Sequence, residues 1–166
     1  LFINYAKVKV YIQEAIGMDS STPAPQRFPL GLTLHYDPQL GIPVLTGTGI
    51  MTREAVDEWA AAVRQVMDAV PSGQPMYLLL DHSAKGQGFS PYIRQVSDEL
   101  KAYFISKAIP QAYVAIIFPD TVAFFLIKTF LNTFVASHSQ QLSIKLFTKS
   151  DEARTWLQTQ RSVSAS

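Results

Sequence analysis

The amino-acid sequence predicts an α/β domain: a mainly parallel sheet of about five strands, with an antiparallel edge strand and helices packed on it. Three observations carry this prediction. Strand-like and helix-like patterns alternate from Leu45 to Leu157. The short apolar runs Met76–Leu80 and Tyr113–Phe118 have the length and composition of parallel strands buried on both faces. The chain then closes on Phe147, Asp151-Glu152-Ala153 and Trp156-Leu157, a strand handing over to a short amphipathic helix.

The elements follow in order. Leu1, Tyr5, Val8, Ile12 and Ala15 fall on one helical face and Gly17 stops it, although Lys7–Tyr11 also alternates as a strand. Ser20-Ser21-Thr22-Pro23-Ala24-Pro25 is a linker by composition. Residues 1–25 are therefore expected to be an arm or connector, or else to fold back on the domain, which spans 26–160. Leu32 and Leu34 alternate with Thr33 and His35, Asp37–Gly41 reads as a turn, and Ile42–Ile50 continues as a strand, which makes an antiparallel hairpin. Thr52 is the expected N-cap of a helix that carries Val56, Trp59, Ala60, Val63, Val66 and Met67 at helical spacing and ends before Pro71.

After the strand Met76–Leu80, a glycine-containing loop leads to Ser90-Pro91, an N-cap followed by proline at the first helical position. That helix runs through Val96, Leu100 and Phe104 toward Ile109-Pro110. A third helix is expected over about 121–137. At about 100° per residue its polar side is set by Lys128, Thr129, Asn132 and Thr133. Val122 and Phe125 share that sector, either as a contact surface or under another loop. Leu142–Phe147 is the last strand, Ser150 a cap, Asp151–Gln158 the last helix, and 161–166 a frayed tail.

Composition narrows the function classes. A chain of 166 residues forms one domain that needs no staple. It has no cysteine, which excludes disulfides, zinc thiolates and a cysteine nucleophile, and it fits a reducing, cytoplasmic compartment. A net charge of +1 argues against a nucleic-acid partner. No apolar run reaches the roughly 20 residues of a membrane span. Charged residues make up only 16% of the chain, against about 25% in typical domains, which suits a self-association face or an apolar ligand site. The chain opens on Leu1 rather than Met, as expected of a fragment or of a chain that has lost its start.

The order of elements, with Phe147, Asp151-Glu152-Ala153 and Trp156-Leu157, resembles the SpoIIAA-like branch of the STAS fold, over about residues 30–160. That family comprises bacterial anti-sigma-factor antagonists, with looser kinship to Sec14-type lipid-binding domains. The resemblance implies a bacterial, non-catalytic module for regulatory protein contacts or for an apolar, lipid-like small molecule. Phosphorylated members carry an acidic-Ser-Ser-Gly sequence at the turn that here reads Gly88-Phe89-Ser90-Pro91. Ser90 is thus the candidate phosphorylation site, with plain helix capping as its structural role.

Asp81-His82-Ser83 contains the residue types of a hydrolase triad, but adjacent residues at a strand end point to opposite faces. Asp81 and Ser83 suit the rim of a ligand site at the strand ends, or the capping of a loop. His35, His82 and His138 lack metal-ligand spacing, so no metal is expected, and no cofactor. Gly47-Thr48-Gly49 is too short for a dinucleotide loop. The leading expectation is a non-enzymatic regulatory or interaction module that forms a homo-oligomer. Its ligand or partner surface would comprise Asp81, Ser83, Ser90, Val122 and Phe125. A carrier of an apolar small molecule is the second reading, and a hydrolase using Asp81, His82 or Ser83 the third. Trp59 and Trp156 are expected in the core.

Overall fold

The structure, a computed structural model, describes residues 24–47, 52–84, 90, 92–119 and 141–164. Outside these lie the expected helices at 1–17 and 121–137, including Val122 and Phe125, as well as strand residues 48–50 and loop residues 85–89.

The strands are β1 (Gln26–Arg27), β2 (Leu32–Asp37), β3 (Ile42–Gly47), β4 (Met76–Asp81), β5 (Ala112–Ile117) and β6 (Leu142–Phe147). They form one sheet in chain order. β1 and β3 each pair antiparallel with β2, and β3 through β6 pair parallel. Five strands are expected from the pattern, but six form. The extra strand is β1, two residues long and just past the expected linker, so β2 is not the edge. Long-range contacts make it a strand: Gln26 and Arg27 lie opposite Leu34 and Thr33, and the Gln65 amide donates to the Gln26 side chain at 2.8 Å.

Among the described residues the helices are α1 (Arg53–Ala69), α2 (Ile93–Ser106) and α3 (Ser150–Ser164). Thr52 caps α1 from an extended backbone, its hydroxyl accepting the Ala55 N–H at 3.2 Å. The regular part of α2 begins later than Ser90-Pro91 suggests. Tyr92 holds the N-cap position, and Ser90 contributes its carbonyl, which accepts the Ile93 N–H at 3.0 Å. Ser150 is likewise inside α3 rather than before it, and this helix continues past Gln158 into the segment expected to fray.

Strand alternation sorts the core onto two faces of the sheet. Leu32, Leu34, Leu45, Leu78, Leu80, Val114 and Ile116 face α1 and α2. Ile42, Val44, Leu79, Ala115, Ile117 and Phe147 face Ala153 and Leu157 of α3. Leu45, Leu78 and Leu79 are each about 1% exposed, so each contributes about 1.5–3 kcal/mol by burial.

α1 and α2 run side by side, joined at three levels of equal sequence offset. Tyr92 donates to Asp57 (3.0 Å), Arg64 to Glu99 (3.4 Å) and Tyr103 to Asp68 (2.7 Å). Equal offsets at all three levels mean parallel helices in constant register. These contacts are exposed and are individually weak. Their joint effect is to hold α2 in register with α1.

Candidate ligand-binding site

The strand ends are the first place to look, because open α/β sheets bind ligands beyond the carboxyl ends of their strands. Thr46, Asp81, Ile117 and Phe147 form one register row there. Asp81 and Ser83 do come together, as a loop cap: the Ser83 N–H donates to Asp81 Oδ1 at 3.0 Å. His82 lies on the opposite side, buried and stacked on Phe118 with ring centroids 5.0 Å apart. Its N–H donates to the Ile117 carbonyl at 2.9 Å, extending the β4–β5 ladder by a residue. Ser90 is half-buried in the turn before α2. That turn is pinned to α1 by the Tyr92–Asp57 bond and by the Arg53 guanidinium over the Tyr92 ring at 4.7 Å.

The α3 face carries a charged cluster that the sequence does not advertise. Asp37 ends β2, and its side chain is 1% exposed. Its Oδ1 accepts the Gln39 and Leu40 N–H groups at 2.9 and 3.0 Å, and its Oδ2 pairs with Arg154 Nη1. Arg154 Nε donates to Ser150 Oγ at 3.2 Å, which fixes the guanidinium on its own helix. His35, on the same face by alternation, has its pKa lowered, first by burial and then by the Arg154 cation, against an opposing pull from Asp81. Asp37 and Arg154 are far apart in the chain. The one local signal is the Asp-Pro turn, which predicts the carboxylate's two backbone bonds but not its ion pair.

Among the described residues two concave spaces against the sheet stand out. The larger, about 300 Å³, lies between the β2–β3 hairpin and α3, against Gln39, Leu40, Leu157 and Gln158. Its cation is already engaged, since Arg161 Nη1 donates to the Leu40 carbonyl.

The smaller, about 110 Å³, lies between the sheet and the α1–α2 pair. Leu78, Val114 and Ile144 supply its floor, and Trp59, Leu100 and Phe104 its walls. Trp59 is 9% exposed, and its buried Nε1–H has no hydrogen-bond partner among the described residues. Leaving such a donor unmade costs about 1–3 kcal/mol, so it calls for a physical reason.

Helical spacing correctly predicts a buried Trp59 ring, but that spacing carries no information about an acceptor. Ser97 and Lys101 also line this groove. They sit at i and i+4 on α2, each one residue past the Val96–Leu100–Phe104 stripe, a position that marks them as its polar border.

Among the described residues no group of three or more metal-binding side chains forms, and no helix is long and apolar enough to cross a membrane. No family model matches the chain, and no curated protein or solved structure matches it.

Proposed function

We propose that the domain is a non-enzymatic binding module, and that its site is the groove between α1, α2 and the sheet. Its occupant is a small apolar molecule carrying a hydrogen-bond acceptor. The observation that carries this reading is the buried Trp59 Nε1–H without a partner, set in an apolar wall. Native structures rarely tolerate such a donor unless something outside the protein's own bonding completes it. Size refines the lipid-like expectation. An apolar cavity of about 150 Å³ holds a single benzene-sized ring. A space of about 110 Å³ suits a short aliphatic chain or one small ring rather than a diacyl lipid. The affinity with regulatory STAS-like domains stays within this reading: ligand occupancy under α2 would alter the surface that α2 presents.

The test is an amide and indole NMR spectrum titrated with hexanamide, a neutral chain with an acceptor. Trp156→Phe assigns the indole signals. A saturable downfield shift of the Trp59 indole proton is expected. A groove already filled by side chains would give no shift at any concentration, and that result would overturn the reading.

Self-association is a second reading, favoured by Ile105, 56% exposed on α2, together with the low charge content. Ile105→Asp is then expected to move the sedimentation coefficient toward that of a monomer.

Covalent chemistry at Asp81-His82-Ser83 finds less support. The Asp81 carboxylate already holds the Ser83 backbone N–H, and the His82 ring stacks on Phe118 on the opposite side.

A further inference from the structure

We infer that the molecule bound in this groove is a small monocarboxylic acid, its carboxylate held by Lys101 and Ser97 and its hydrocarbon part inside; the inference rests on the binding reading above. The residues with polar side-chain groups along the groove are Trp59, Ser97 and Lys101. The indole can only donate, the ammonium can only donate, and the hydroxyl can turn its hydrogen either way. A set biased this strongly toward donors complements a group that only accepts, and an ionised carboxylate is such a group.

Charge points the same way. Lys101 has no ion-pair partner among the described residues, whereas Arg64, Lys107, Lys149 and Arg154 each pair with a carboxylate. Of the two α2 cations without an ion pair among the described residues, Arg94 and Lys101, Lys101 is the one that lines the groove. Lys101 is also only half-buried, which keeps its ammonium solvated until a ligand arrives while its methylene stem extends the apolar wall.

Geometry orders the ligand. Ser97 and Lys101 lie one turn apart on α2, on the helix side of the groove. Leu78, Val114 and Ile144 lie at the sheet side, where no charge reaches. Tyr92, Glu99 and Tyr103 mark the side of α2 that meets α1, and Ser97 and Lys101 fall on the other side, so the head sits at the edge of the groove away from α1 and the tail points at the sheet. The small volume limits the tail to about the size of a benzene ring or a short alkyl chain. A dicarboxylate would leave its second charge against the apolar floor without a partner and is rejected.

The test compares hexanoate with hexanamide, matched in size and differing in charge, on the full chain by calorimetry. Wild-type protein is expected to bind hexanoate about tenfold more tightly, as a charge-assisted contact at a half-exposed site allows. Lys101→Met is expected to abolish that preference while retaining hexanamide, and Ser97→Ala to reduce it. Equal wild-type affinity for the two probes overturns the carboxylate inference and leaves the groove reading standing. Tight binding of the dicarboxylate adipate overturns the assignment of the apolar floor. Binding of neither hexanoate nor hexanamide overturns the groove reading itself, and this inference falls with it.

Discussion

The two faces of the sheet solve the problem of buried polar groups in opposite ways. On the α3 face the buried carboxylate of Asp37 has two backbone donors and a guanidinium, and that guanidinium is itself anchored to Ser150. On the α1–α2 face the buried indole donor of Trp59 has no partner among the described residues. Strain follows the same division. Just past α2, Ala108 sits in the left-handed region at φ 52°, where a Cβ is disfavoured. By contrast, the tight turn between β2 and β3 places Gly41 at φ 61°, where a glycine belongs. One face is closed and self-sufficient, and the other keeps an unpaired donor on α1 and a strained residue just past the end of α2. Local rules are broken where a molecule does something other than fold.

The largest effect should come from opening the closed face. Arg154→Met leaves the Asp37 carboxylate buried without its cation and is expected to cost about 3 kcal/mol in urea unfolding at neutral pH. The figure sits at the low end of the buried-pair range because the Arg154 side chain is 34% exposed. Asp37→Asn keeps an acceptor for Gln39 and Leu40 and should cost less. A loss under about 1 kcal/mol for Arg154→Met would erase the contrast between the faces.

Ala108→Gly acts in the other direction. It relieves the left-handed strain, offset in part by the freer unfolded chain, and is expected to raise stability by about 0.5–1 kcal/mol. No gain would mean that the end of α2 is not strained.

Trp59→Phe sharpens the comparison most directly, because it removes the orphan donor and keeps most of the ring. Lost packing and the recovered desolvation cost oppose each other, so stability should change by less than about 1 kcal/mol. Binding of hexanamide should weaken in the same variant. A loss of several kcal/mol would show that the indole N–H is satisfied in the folded protein.

The smallest expected effect is one of slope. His35 has a folded-state pKa below its ordinary 6.5, so the unfolded chain takes up the proton first as pH falls. Its contribution is nil well above 6.5, and stability declines as pH drops through the window just beneath that value. His35→Gln is expected to flatten this part of the profile, read as the difference in unfolding midpoint between pH 7.5 and 5.5. An unchanged profile would remove His35 from the acid response.

The sequence reveals much of the fold because its strongest signals are local. Thr52 caps α1 since a hydroxyl one turn before a helical stripe needs only neighbouring N–H groups. β4 and β5 announce themselves by continuous apolar runs, which only a doubly covered strand can use. The Asp37–Gly41 turn forms where it is expected, closed by the Gly41 N–H on the Asp37 carbonyl at 2.7 Å. β1 is illegible for the converse reason. Two polar residues have no period, and their strand exists only because β2 presents an edge and Gln65 a side chain.

The candidate site divides along the same line. That Trp59, Leu100 and Phe104 are buried is written in their helical spacing, since hydrophobic burial depends on side-chain type and period. That Asp81 and Ser83 form a loop cap follows from their separation of two residues. Tertiary structure alone decided that Arg154 reaches Asp37 and that the Trp59 donor is left without a partner. It also decided that Ser97 and Lys101 border an apolar space rather than open solvent. Those are statements about which distant groups meet, and periodicity records only which way a side chain points.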